Sequence, residues 1–149
     1  MFLNSLTVAA ITFLVLPAGV ALAQGQADAT SRSGVEAFVK RQLACGSQYP
    51  KMLGAGNVRG VEGFLAAVEI SGDACEGNMS VDYLVGVYVR GGRFVMIDSP
   101  ISGPKQASFS NGTLTVTTLE IGPRDSRCCP TLRRTVRLGF SNGKLVEQR

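Results

Sequence analysis

Three dipeptides constrain this chain more than anything else in it: Gly91-Gly92, Asn111-Gly112 and Asn142-Gly143. Each stands between two runs rich in apolar residues. Asn and Gly tolerate the positive φ that a two-residue hairpin demands, so each pair joins two antiparallel neighbours. The runs they join read as strands. Asp82 to Arg90 carries apolar side chains on both faces, with Tyr83, Val85, Val87 and Val89 on one and Leu84 and Tyr88 on the other, which predicts a central strand covered twice. Arg93 to Asp98 returns beside it. Gln106 to Ser110 and Thr113 to Ile121 form the next pair. In the latter the apolar phase passes from Leu114 and Val116 to Leu119 and Ile121, predicting a bulge near Thr117-Thr118. Leu132 to Phe140 sets Leu132, Val136, Leu138 and Phe140 inward and Arg133, Thr135 and Arg137 outward. Arg134 falls in the inward set and must snorkel to an edge or meet a carboxylate. Lys144 to Gln148 closes the series, and Gly63 to Ile70 reads as an earlier strand.

One helix precedes the strands. Ser33-Gly34-Val35-Glu36 fits a capping box, with serine at the N-cap and glutamate at N3. Val35, Phe38, Val39 and Leu43 form one apolar stripe at helical spacing. Gly46, after Cys45, suits a left-handed cap. The stretches from Tyr49 to Gly60, Ser71 to Asn78 and Ser99 to Pro104 read as loops. The pattern predicts an α+β domain: an N-terminal amphipathic helix packed on a mostly antiparallel meander sheet of about seven strands. A β-barrel or roll with a flanking helix is the alternative.

The chain has 149 residues, enough for one domain. Met1–Ala23 carries no charged side chain and contains an apolar run from Leu6 to Leu16. Ala21-Leu22-Ala23 ends it with small residues at both ends, as at a signal peptidase site, so residues 1–23 read as a secretory signal cleaved after Ala23. Retention of that segment as an N-terminal membrane anchor is the alternative. Residues 24–32 then form a flexible leader and 33–149 a single domain. No later segment is apolar enough to span a bilayer.

Export decides how the cysteines read. Cys45, Cys75, Cys128 and Cys129 are the only four. In an oxidising compartment they predict two disulfides. Side chains of adjacent residues in extended backbone point to opposite faces. Cys128 and Cys129 can therefore each reach a separate partner, Cys45 and Cys75 each joining one of them. The rival is a vicinal Cys128–Cys129 bond. A zinc site lacks support, because there is no CxxC and no histidine.

The absence of histidine also removes Ser-His-Asp and Cys-His catalysis. The acids are scattered, with no pair spaced to force two carboxyls together. Ser102-Gly103-Pro104-Lys105 matches an SxxK string, but proline breaks the helical turn that motif needs. No catalytic residue, cofactor or metal is predicted. The charge is uneven. From Gly122 onward seven bases face two acids, although the whole chain is only +4. Arg124 and Arg127 beside the cysteine pair, with Arg133 and Arg137 on the outward strand face, form the candidate binding surface. No aromatic residue interleaves them, which argues against nucleic acid.

Asp125-Ser126-Arg127-Cys128-Cys129-Pro130-Thr131-Leu132, a basic alternating strand and then Asn142-Gly143-Lys144-Leu145-Val146 resemble the C-terminal signature of uncharacterised exported bacterial proteins. In these a D-x-x-C-C-P segment precedes a final β-hairpin, and LppP/LprE-type lipoproteins are similar there. The chain lacks their lipidation cysteine. The resemblance implies a periplasmic or secreted bacterial protein and brings no catalytic residues. The sequence thus predicts a non-enzymatic, disulfide-stapled binding module whose partner is a protein or an anionic envelope component. A histidine-free hydrolase using carboxylate or serine chemistry, and a redox or ligand sensor using a vicinal Cys128–Cys129 bond, are the alternatives.

Overall fold

The computed structural model describes residues 31–44, 46–73, 82–126 and 129–149. The predicted signal segment, most of the predicted leader, Cys45, Cys75, Arg127 and Cys128 lie outside the described residues. The single helix, α1 (Arg32–Gln42), is followed by β1 (Gln48–Gly56), β2 (Leu65–Gly72), β3 (Tyr83–Arg90) and β4 (Arg93–Ser102). Then come β5 (Pro104–Ser110), β6 (Thr113–Glu120), β7 (Leu132–Ser141) and β8 (Lys144–Glu147).

The strands form two separate four-stranded antiparallel sheets, β1-β2-β3-β4 and β5-β6-β7-β8, each a meander taken from one half of the chain. This overturns the expectation of a helix on one seven-strand meander. The alternative of a closed barrel or roll fails as well. The two sheets come close where β1 meets β5 and where β4 meets β8, but among the described residues no strand ladder joins them. The sheets pack face to face over a core of Leu65, Ala67, Leu84 and Ile97 from the first and Leu114, Val116, Val136, Leu138 and Leu145 from the second. A second layer fills the other face of the first sheet, where Val35 and Val39 of α1 meet Val68, Ile70, Val85 and Val87. Strands β2 and β3 are therefore covered twice, which explains why both their faces are apolar. Each fully buried valine or leucine contributes about 1.5–3 kcal/mol.

Two supposed loops are strand, and each hid behind a proline. Pro50 lies in β1 and Pro100 in β4. Both are edge strands, where a missing N–H is tolerated. Gly54 and Gly56 of β1 have no positive φ. They are small because Phe109 of β5 packs against them, and a Cβ on Gly56 would collide with its ring. The true turn lies at Gly103, φ +59°, which carries the chain from β4 into β5 and so from one sheet to the other. A Cβ there would strike the Leu119 carbonyl oxygen. The three hairpin dipeptides behave as their sequence requires, with positive φ at both residues of each.

Smaller readings also change. The helix N-cap is Ser31, whose hydroxyl accepts from the Gly34 N–H at 3.2 Å. Helix α1 consequently starts at Arg32, inside the stretch read as leader, and Ser33 is not the cap. Glu36 turns instead to β1, accepting the Met52 N–H at 2.8 Å, while Arg32 donates to the Met52 carbonyl at 2.8 Å. The C-cap is Leu43 in extended conformation, so Gly46 supplies no left-handed cap. Lys40 secures that end by donating to the Gly46 and Gln48 carbonyls. No bulge interrupts β6 against β7. The irregularity does fall at Thr117-Thr118, but the extra residue is Lys105 on the opposing strand β5, between Pro104 and Gln106. Thr118 keeps the inward phase, 1% exposed, and donates to the Arg134 carbonyl at 3.4 Å, leaving Leu119 and Ile121 outward.

Candidate functional site

The two sheets treat their outer faces differently. That of the first is roofed by α1. That of the second carries no covering element among the described residues. Alternation along β7 buries Val136 and Leu138 and turns Arg133, Thr135 and Arg137 outward, all exposed. The register sets Arg137 opposite Thr115, Thr135 opposite Thr117 and Arg133 opposite Leu119. Four residues of strand separate the two arginines by about 13 Å.

The three arginines of β7 divide by the direction they face. Arg134, pointing inward at the open end of the sandwich, meets Glu120 at 3.1 Å and Glu147 at 2.6 Å on the flanking strands. The hydrogen bond to Glu120 and the charges of both acids hold its guanidinium above its ordinary pKa, and the sequence requirement for a carboxylate is met. Arg133 and Arg137 have no carboxylate within ion-pair distance among the described residues. Arg124, in the loop between β6 and β7, is also exposed. Of the predicted binding residues, the structure places Arg133 and Arg137 on one face and Arg124 on an adjoining loop, while Arg127 lies outside the described residues.

That loop is organised by one side chain. The Asp125 carboxylate accepts the Gly122 N–H at 2.7 Å, the Thr131 N–H at 2.7 Å and the Thr131 hydroxyl at 2.7 Å. These bonds, led by that from Gly122, hold its pKa below the ordinary value of 3.8. The clasp brackets the cysteine pair, which gives the aspartate of the D-x-x-C-C-P string a physical role. Cys129 is exposed, and its N–H donates to the Ser126 carbonyl at 3.1 Å. Of the four cysteines in the predicted disulfides, Cys45, Cys75 and Cys128 lie outside the described residues, and no disulfide is present among the described ones, which include Cys129.

A second feature escaped the sequence reading. Where β1 and β5 run side by side, a polar pocket of about 470 Å³ opens along the seam, floored by outward-facing side chains of β5 and β6. Arg32, Lys51 and Lys105 reach it, above Ser108, Thr115 and Thr117. Lys105 also contacts Glu69 at 3.4 Å and Asp82 at 3.3 Å. Partial burial pulls the Lys105 pKa down, but the hydrogen bond to Asp82 and the two acidic charges outweigh it and raise it. Glu69 is 7% exposed, so this ion pair ties the sheets together at the seam. The string Ser102-Gly103-Pro104-Lys105 thus serves as a sheet-crossing turn followed by a structural cation. The residues forming the pocket lie far apart in sequence, and one of its walls, β1, looks like a loop in the sequence.

Among the described residues no group of three acids or cysteines is placed to hold a metal, and no buried side-chain nitrogen or oxygen lacks a partner. No helix among them is long and apolar enough to cross a membrane. Comparison with protein families, curated proteins and solved structures gives no match.

Proposed function

We propose that this chain is an exported, disulfide-stapled binding module without catalytic activity, and that it engages an anionic partner through the outer face of the second sheet. The observation that carries this reading is the division among the β7 arginines: the inward one takes both nearby acids, and Arg133 and Arg137 face solvent unmatched. Export rests on the leader-like segment Met1–Ala23 and on the resemblance to exported proteins carrying the D-x-x-C-C-P string. An envelope component bearing carboxylate or phosphate groups has the complementary charge.

Capture from an envelope extract tests the binding surface. The mature protein should retain an anionic partner at low salt and release it at high salt, because exposed charges are screened. Arg133→Ser with Arg137→Ser should abolish retention, and unchanged capture by this double variant would refute the reading. Peptide mapping without reductant tests the staples. Cys45 and Cys75 should each appear linked to the peptide carrying Cys128 and Cys129. Four alkylatable thiols, or a bond between the two adjacent cysteines, would reject them.

A further inference from the structure

We propose that the seam pocket between β1 and β5 binds a small polyhydroxylated anion, a uronic acid or sugar phosphate of mono- to disaccharide size, with Lys51 as its charge partner. The site adjoins the arginine face, since Thr115 and Thr117 share the outer surface of the second sheet with Arg137 and Thr135, but its charge partner is Lys51, from the other sheet.

The argument starts from strand register. Lys51 of β1 stands directly opposite Glu69 of β2, on the same side of the sheet, where a lysine and a glutamate ordinarily pair. Lys105 arrives from the other sheet and takes that carboxylate. Lys51 is left exposed, with no carboxylate in ion-pair range among the described residues and its ammonium free to meet a ligand charge. The other cations are already engaged, Arg32 with the Met52 carbonyl and Glu36, and Lys105 with Glu69 and Asp82. They add positive potential while leaving Lys51 as the unspent charge.

The floor supplies the second half of the recognition. Ser108, Thr115 and Thr117 line the pocket, and none of their hydroxyls bonds within the described residues. Ser108 and Thr115 are cross-strand partners, so their hydroxyls lie side by side on the sheet. Adjacent hydroxyls that both donate and accept suit the vicinal hydroxyls of a sugar. The cavity volume falls within the range of small-molecule pockets. No aromatic ring among the described residues lines it. Stacking therefore contributes nothing, and selectivity rests on charge and hydrogen bonds.

The test is a titration of the isotope-labelled mature protein, followed by amide chemical shifts. Glucuronate, glucose 6-phosphate, inorganic phosphate and glucose are the probes. At least one of the two anionic sugars should give saturable shifts at residues 51, 108, 115 and 117, and the better one identifies the acid group as carboxylate or phosphate. Lys51→Gln should weaken that binding by about tenfold, the effect of losing one charge-assisted contact. Thr115→Val, which keeps the side-chain shape, should weaken it too. Lys144→Gln, which removes an exposed charge from β8 away from the pocket, should bind as the parent does. Glucose binding as tightly as the acids, phosphate binding as tightly as glucose 6-phosphate, or Lys51→Gln binding as the parent would each overturn the proposal. A loss in Lys144→Gln as large as that in Lys51→Gln would also overturn it, while leaving the arginine face in place.

Discussion

Asp125 shows how one side chain can join the end of one strand to the start of the next. Three donors on its carboxylate, one from Gly122 and two from Thr131, tie the chain just after β6 to the chain just before β7. Because its folded pKa is depressed, its contribution is present above the ordinary carboxylate value and is lost as pH falls through the lower folded one. Asp125→Ala should therefore be less stable than the parent at neutral pH, and the gap should close in acid. Urea unfolding of both proteins across pH 2–7 checks this, and a gap independent of pH would contradict it. Lys105 behaves in the opposite sense. Its raised pKa means that its contribution is complete below the ordinary lysine value and fades as pH climbs through the folded one. Lys105→Met strands the largely buried Glu69. The loss should be about 1–2 kcal/mol, discounted because the ammonium is partly exposed, and should shrink toward alkaline pH in the same assay.

Among the elements, α1 depends most on its contacts with the sheet. It has 11 residues, too few to persist alone in water, so packing against β2 and β3 must hold it. Val39→Ala should cost about 2 kcal/mol by chemical denaturation, through lost burial and the cavity left behind. The helix stripe Val35, Phe38, Val39 and Leu43 was legible because its apolar residues recur locally. The hairpins were legible because Asn-Gly and Gly-Gly carry their backbone requirement within two residues. The edge strands were not. Pro50, Gly54 and Gly56 look like turn residues, and only the approach of Phe109, far along the chain, reveals them as strand. The place of the bulge, at Thr117-Thr118, is legible, but not that β5 supplies its extra residue. The apolar phase of β6 shifts because Thr118 is buried through a hydrogen bond to Arg134, and periodicity cannot register such a bond. The outward setting of Arg133 and Arg137 was legible from strict alternation, whereas the pocket at Lys51 needs two strands from different sheets.

For the whole molecule the decisive position is Gly103, the single point at which the chain leaves one sheet for the other. Its positive φ and its proximity to the Leu119 carbonyl admit no side chain. Its N–H also donates to the Asp82 carbonyl at 2.8 Å, and its own carbonyl accepts from Leu119 at 2.9 Å. Gly103→Ala should lower the denaturation midpoint more than Gly91→Ala, although both glycines have positive φ, because nothing crowds a Cβ at Gly91. Thermal unfolding of the two variants side by side decides the point. This topology bears on how the protein is made. Each sheet comes from an unbroken half of the chain, so the leading half can zip up from neighbouring hairpins before the trailing half is at hand. Assembly then becomes the closing of two finished leaves on one spine, with the slow, long-range search confined to that last event.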